Sequence, residues 1–267
     1  IVVTTSNAKG ESERAATSLW IGKDAPAAVS GLSLKRTLDK GLQLRWDAVS
    51  TGAHNGYVDP ASVTYKVVRQ PDAKTVSEST TATVLYDNVE SGELAKYWYE
   101  VTPSAYGKSG ETLASNKVVV GPGKATPYSE NFEKQEAFDY FTVLDANNDS
   151  KTWSYNEYSQ TAEYAGDATV KADDWLILPP LKLNKSGYYK VTFNVRCNSQ
   201  NKHLLAVALG NLPEAENMTT SVMPATEFST LFETQKVEAK FLVPSDGDYY
   251  LGFHLLSDAL MHSFEIQ

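Results

Sequence analysis

Residues 173–183 read DDWLILPPLKL. Two acidic residues lead into Trp175 and an apolar run, and the run stops at Pro179–Pro180. The second proline cannot donate to a strand ladder, so the pair ends a strand. Trp175, at the head of that strand, is placed to anchor a core. The same kind of signal recurs on both sides. LQLRWDAV (42–49), VTYKVVRQ (63–70), KYWYEVTPSA (96–105), NKVVVG (116–121), YYKVTFNVRC (188–197), HLLAVALG (203–210), KVEAKFLV (236–243) and DYYLGFHLL (248–256) alternate or run β-branched and aromatic. Short pieces such as ENFEKQEAF (130–138) read as helix. The reading is an all-β protein.

Alternation also assigns faces. Val191, Phe193, Val195 and Cys197 share one side of their strand. Cys197 is the single cysteine, so no intrachain disulfide forms, and its place in the alternation makes it a small buried apolar residue rather than a nucleophile. Tyr249, Leu251, Phe253 and Leu255 share a second face, opposite Tyr250, Gly252, His254 and Leu256. Trp153 and Trp175 anchor the core.

Composition narrows the function classes. At 42% hydrophobic and 21% charged, the chain is that of an ordinary folded protein. No apolar run approaches the roughly 18 residues of a membrane helix, and IVVTTSNAKG (1–10) is not a signal peptide. Residues 1–125 carry 14 basic and 13 acidic side chains, and residues 126–267 carry 10 and 20, so the net charge of −9 belongs to the C-terminal part. Without a basic stripe, nucleic acid is not a partner. A local acidic surplus suits divalent cations or plain solubility.

One internal repeat is visible. IVVTTSNAKGESERAATSLWIG (1–22) aligns with YEVTPSAYGKSGETLASNKVVVG (99–121), with Val3 on Val101, Thr4 on Thr102, Ser6 on Ser104 and Gly22 on Gly121. Both read strand, Ser- and Gly-containing turn, strand. The second copy closes a domain, so residues 1–23 are expected to be the last hairpin of a preceding module in a longer chain. KDAPA (23–27) and GPGKATP (121–127) are the joins. Residues 24–123 and 124–267 then form two further domains.

Residues 25–121 hold about seven short strands at sandwich spacing. Trp46, Tyr65 and the Tyr97-Tyr99-Val101 strand, opened by Ala25–Pro26 and Leu32, resemble the fibronectin type III family. Tyr97 is expected to make its tyrosine corner. STGAHNGYVDPASVT (50–64) resembles an insert of such modules in surface proteins of Bacteroidetes-like bacteria. Asn55–Gly56 and Asp59–Pro60 are turn formers first, and His54 has no visible partner.

Residues 126–267 resemble the cleaved-adhesin or choice-of-anchor J group of jelly-roll sandwiches, related to gingipain hemagglutinin modules and to MAM domains. PYSENFE (127–133), LDANNDSKTW (144–153), DDWLILPPLKL (173–183) and YYLGFHLLSD (249–258) carry the resemblance. Leu178 departs from the group's Ser or Thr, and the group's pattern runs on from SFEIQ (263–267) into an acid-bearing strand. The resemblance implies an extracellular adhesion segment.

LDANNDSKTW has two readings. Asp145, Asn147 and Asp149 alternate, and calcium takes six to eight oxygens, many from one short loop. With Glu133 from the opening strand, these residues are the candidate structural calcium ligands. The loop lacks the glycine and glutamate of an EF-hand. Equally, Asp and Asn fill turns by bonding their own backbone. Tyr155, Tyr158 and Tyr164 in SYNEYSQTAEYAG (154–166) are candidates for stacking on sugar rings.

No nucleophile elbow, zinc helix, cysteine pair or phosphate loop is present. The histidines at 54, 203, 254 and 262 lack metal-ligand spacing. Glu157, Glu163 and Asp167 are loop residues without a strand to aim them as a glycosidase pair. The expectation is a non-catalytic surface or secreted adhesion segment that binds an extracellular protein or glycan. The alternative is a carbohydrate-targeting module of a larger secreted protease or glycoside hydrolase. Either way, the chain carries further β-sandwich domains and no membrane insertion.

Overall fold

The computed structural model describes residues 1–39, 41–165, 171–197, 203–228, 232–257 and 263–266. The chain divides into two compact units. The first comprises Ile1–Lys35, Lys40–Asn88 and Tyr97–Val118, the second Arg36–Asp39, Val89–Lys96 and Val119–Gln267. Both are β-sandwiches. Among the described residues, helix is confined to α1 (Gln135–Phe138), inside the ENFEKQEAF segment, and two single 3-10 turns.

The first unit begins with exposed hairpin pieces. Val2–Val3 pairs with Ala15–Ala16, and Ser6–Asn7 with Gly10–Glu11, all antiparallel. Its sandwich is built from β1 (Ser30–Thr37), β2 (Gly41–Asp47), β3 (Thr64–Gln70), β4 (Lys74–Thr80), β5 (Val84–Asp87) and β6 (Ala95–Ala105). One sheet runs β1-β2-β5; the other contains β6-β3-β4. Leu42, Leu44 and Trp46 alternate inward on β2, and Tyr99 and Val101 do so on β6. Trp46 meets Tyr65 across the sandwich, edge to face at 5.3 Å. Asp59 caps the turn at Pro60–Ser62, and Asn55 takes φ 58°, the turn roles expected of them.

Two sequence expectations shift here. The structural tyrosine is Tyr99, two residues beyond Tyr97. Its hydroxyl donates to Asp87 at 2.8 Å, and the same carboxylate accepts from Arg69 Nη1 at 2.8 Å. Tyr97 instead lays its ring beside the Arg69 guanidinium. His54 does have a partner: its Nδ1 lies 2.9 Å from the fully buried Asp24. Asp24 also accepts backbone N–H groups from Ala25, His54 and Gly56.

The second unit is a pair of antiparallel sheets. Its strands are β7 (Thr142–Asp145), β8 (Trp153–Asn156), β9 (Thr161–Ala165), β10 (Ala172–Ile177), β11 (Leu181–Leu183), β12 (Tyr189–Cys197), β13 (His203–Gly210), β14 (Thr220–Phe228), β15 (Gln235–Phe241), β16 (Gly247–Ser257) and β17 (Ser263–Ile266). One sheet runs β7-β10-β16-β13-β14, with β11 also on β16; the other runs β8-β9-β17-β12-β15. Pro179–Pro180 separates β10 from β11, as the missing donor requires.

The predicted faces hold. Phe193, Val195 and Cys197 from one sheet meet Leu205, Val207, Leu251, Phe253 and Leu255 from the other in the main core, with Trp153 and Tyr164. The outer face of the first sheet has its own small cluster of Trp175, Ile177, Ala208, Met218 and Tyr250. Trp175 therefore anchors this outer cluster rather than the intersheet core.

Burial pushes the Cys197 thiol up to about 11, because the thiolate has no polar surroundings to stabilise it. A thiol reagent at pH 8 is expected to label the native protein no faster than the protein unfolds. Immediate stoichiometric labelling would show that Cys197 is accessible.

Candidate functional site

The loop between β7 and β8 is closed by its first aspartate. Asp145 Oδ1 accepts the Asp149 N–H at 3.1 Å, and Oδ2 accepts the Ser150 N–H at 2.8 Å. Asp149 Oδ1 accepts the Lys151 N–H at 2.7 Å. Asn147 donates to Asp149 and to the Lys171 carbonyl. Asn148 and Ser150 take φ 57° and 67°, a left-handed path that favours Asn and suits turns.

The sequence did not single out Asp174, which lies directly across from Asp145 in the β7–β10 ladder. On β10, Ala172, Asp174 and Leu176 point into the sandwich and are fully buried. Asp174 Oδ2 accepts the Asp173 N–H at 3.1 Å, but Oδ1 has no hydrogen-bond partner. The Thr152 and Tyr164 hydroxyls, also buried, have none either. Burial pushes the Asp174 carboxyl up to about 6. The charges of Asp145 and Asp149 add to the shift, and the neighbouring Thr152 hydroxyl tempers it. Burial and the same three carboxylates raise the Tyr164 phenol. Like charges placed opposite each other on a ladder destabilise it unless something compensates. The signal for this was present as the first acidic pair of DDWLILPPLKL: in an inward-facing alternation, one of the two had to be buried.

Glu133 is not brought to this cluster. It is exposed, its carboxylate accepts from Asn131, and its carbonyl accepts from Gln160 in the turn after β8. The loop lies at the opposite end of β8. Among the described residues, no group of three or more His, Cys, Asp and Glu side chains is close enough to hold a metal ion.

The three tyrosines separate by the register of the β8–β9 hairpin. Trp153 pairs with Tyr164, and Tyr155 with Ala162. Trp153 and Tyr164 meet edge to face at 6.0 Å. Tyr164 is fully buried, and Tyr155 packs on Phe138 against the core, so both rings serve packing rather than an open rim. Tyr158 alone of the three projects from the turn, 92% exposed. Asn156 Oδ1 holds that turn by accepting the N–H groups of Tyr158 and Ser159.

Of the residues weighed as a glycosidase pair, Glu157 is exposed in this turn and Glu163 accepts from Asn156. Asp167 and His262 lie outside the described residues. His254 is stacked on Trp175 at 3.9 Å, and its Nε2 is 2.6 Å from Asp173 Oδ1. Burial lowers its pKa, against the pull of Asp173. No helix among the described residues is long and apolar enough to cross a membrane.

No family model matches the chain, and no curated protein does. Solved structures resemble its fold. The K1 cleaved adhesin domain of Lys-gingipain from Porphyromonas gingivalis W83 is 17% identical, over 52% of this chain and 92% of that one, with a TM-score of 0.43. The K3 cleaved adhesin domain of the same protein is 14% identical, over 48% and 86%, with a TM-score of 0.39. A family 35 carbohydrate-binding module from Clostridium thermocellum is 8% identical, over 49% and 91%, with a TM-score of 0.30.

Proposed function

We propose that this chain is a non-catalytic segment of a secreted or surface-displayed adhesion protein. In this reading, a fibronectin type III-like module carries an adhesin-type jelly roll whose rim binds an extracellular protein or glycan. One observation carries the reading. Two motifs of the jelly-roll resemblance, LDANNDSKTW and the more specific DDWLILPPLKL, lie side by side in one sheet. Asp145 of the first pairs with Asp174 of the second, and the Trp153 indole N–H donates to the Asp174 carbonyl at 3.5 Å. Tyr158, held outward by Asn156, supplies an open aromatic face of the kind that stacks on sugar rings.

The reading is tested by screening the whole chain against immobilised glycans and extracellular matrix proteins, alongside Tyr158→Ala. Saturable glycan binding that weakens at least tenfold in the variant is the expected result for a sugar-binding rim. Binding to protein alone, unchanged by the substitution, moves the adhesion surface elsewhere. Release of reducing sugar or peptide from any bound polymer would overturn the non-catalytic reading.

A second proposal concerns the carboxylate cluster. We propose that a structural calcium ion would draw Asp145, Asp149 and Asp174 together, without Glu133; as they stand, these side chains are not grouped closely enough to hold one. The support is the fully buried Oδ1 of Asp174, which has no hydrogen-bond partner and belongs to a residue paired with Asp145, a place where a cation would offset the like charges. Its test is given in the Discussion.

A further inference from the structure

The outer face of β12 and β15 carries an unbalanced set of charges. On β12, Tyr189, Val191 and Phe193 turn toward the core, while Lys190 and Thr192 are exposed. On β15, Val237, Ala239 and Phe241 turn inward, while Lys236, Glu238 and Lys240 are exposed. The register sets Lys190 directly opposite Lys240. Like charges so placed destabilise a ladder. Glu238 is shared between Lys190 at 3.4 Å and Lys236 at 3.6 Å. Among the described residues, Lys240 has no ion-pair partner. Lysine is a common guard on sheet edges, and β15 is an edge strand. That accounts for Lys236 and Lys240. It does not account for Lys190, which lies one strand further in.

Beside the lysine pair stands an exposed ring on a pinned loop. Tyr188, immediately before β12, is 89% exposed. The Tyr189 hydroxyl accepts the Asn184 N–H at 2.7 Å and donates to the Asn184 carbonyl at 3.3 Å. The Tyr189 ring stacks on Phe241, and the Lys185 N–H donates to Asp246 at 2.7 Å. Tyr188, Tyr189, Lys190, Lys240, Phe241 and Leu242 line one open depression of about 590 Å³. We propose that this depression binds an acidic sugar, a pyranose ring bearing a carboxylate. Directly opposed side chains start roughly 5 Å apart, so both flexible lysine stems can bring their ammonium groups to one carboxylate. The Tyr188 ring offers the face on which the sugar ring stacks. A neutral glycan would leave the lysine pair uncompensated, and a small inorganic anion would leave Tyr188 and the half-exposed Leu242 uncovered. The site goes beyond the adhesion reading and does not rest on Tyr158, which belongs to the β8–β9 hairpin at the other edge of this sheet.

The test titrates the whole chain calorimetrically with trigalacturonate and with its fully methyl-esterified form, which keeps the rings and removes the charge. Saturable binding of the acid is expected. Esterification, Tyr188→Ala and Lys240→Gln should each weaken it about tenfold, the loss of one good contact. Lys236→Gln removes the same charge further along β15, outside the depression, and should leave the affinity close to the parent's. Tyr158→Ala should also leave it unchanged. All four positions are exposed, and melting curves like the parent's show that the variants fold. The proposal is wrong if the acid does not bind saturably, if the ester binds as well, or if Tyr188→Ala has no effect. It is equally wrong if Lys236→Gln costs as much as Lys240→Gln, or if triglutamate or dextran sulfate binds as tightly, since the surface would then take any anion. A loss confined to Tyr158→Ala would move the sugar to the other edge of the sheet, overturning this site and leaving the adhesion reading intact.

Discussion

Without added calcium at pH 7, Asp174→Asn is expected to melt roughly 5 °C above the parent. The carboxyl titrates near 6 in the folded chain, against an ordinary value of 3.8. The folded state therefore holds a proton that the unfolded state has released between about pH 4 and 6. Stability falls as pH rises through that window, and above it the ionised, unpartnered carboxylate costs about 2 to 3 kcal/mol. An amide carries no charge and has the Thr152 and Tyr164 oxygens as neighbours. The gain should shrink as pH falls to 4, where Asp174 is protonated in both states. Differential scanning calorimetry from pH 4 to 8 makes the comparison. A variant less stable than the parent at every pH would mean that the carboxylate is compensated by something else.

The same pair decides the calcium proposal. A ligand that binds only the folded state at 100 times its dissociation constant adds about 2.7 kcal/mol. Excess calcium should therefore raise the parent's midpoint by several degrees and leave Asp174→Asn unmoved, with the two curves crossing. A parent indifferent to calcium and chelator alike would leave LDANNDSKTW as a turn closed by its own aspartates.

Asp87→Ala is expected to destabilise the first unit by about 3 kcal/mol. Arg69 is 8% exposed and divides its guanidinium between Asp72 and Asp87. Its pKa is raised by the hydrogen bond to Asp72 and by Asp87. Removing Asp87 strips one counter-charge from a buried cation and leaves the Tyr99 hydroxyl without its acceptor. Both losses fall on partners that stay buried, so the cost exceeds that of a surface pair. Hydrogen exchange at the β3 and β6 amides should show the loss, with β10 and β16 unaffected. A change below about 0.5 kcal/mol, the surface-pair range, would mean that Asp72 alone satisfies Arg69.

The sandwich architecture was legible because period-two alternation and core-facing geometry are the same fact. Phe193, Val195 and Cys197, like Leu251, Phe253 and Leu255, were assigned to the core by position alone, and they lie there. Side-chain partnerships across strands were not legible, since register is invisible in one sequence. That is why Tyr97 was preferred to Tyr99, why Tyr164 was read as part of a rim although it pairs inward with Trp153, and why Glu133 was grouped with a loop at the other end of β8. Asp174 went unnoticed as a site residue for a related reason. A buried charge looks like any acidic residue until the strand facing it is known.

The position of β17 in its sheet bears on how this unit is made. Residues 263–266 lie between β9 and β12, separating strands that were synthesised about 65 to 100 residues earlier. Until they leave the ribosome, β9 and β12 have no shared partner and the sheet exists as two halves. Assembly of this sheet must therefore wait for β17, and the half-made sheet presents bare edges in the meantime.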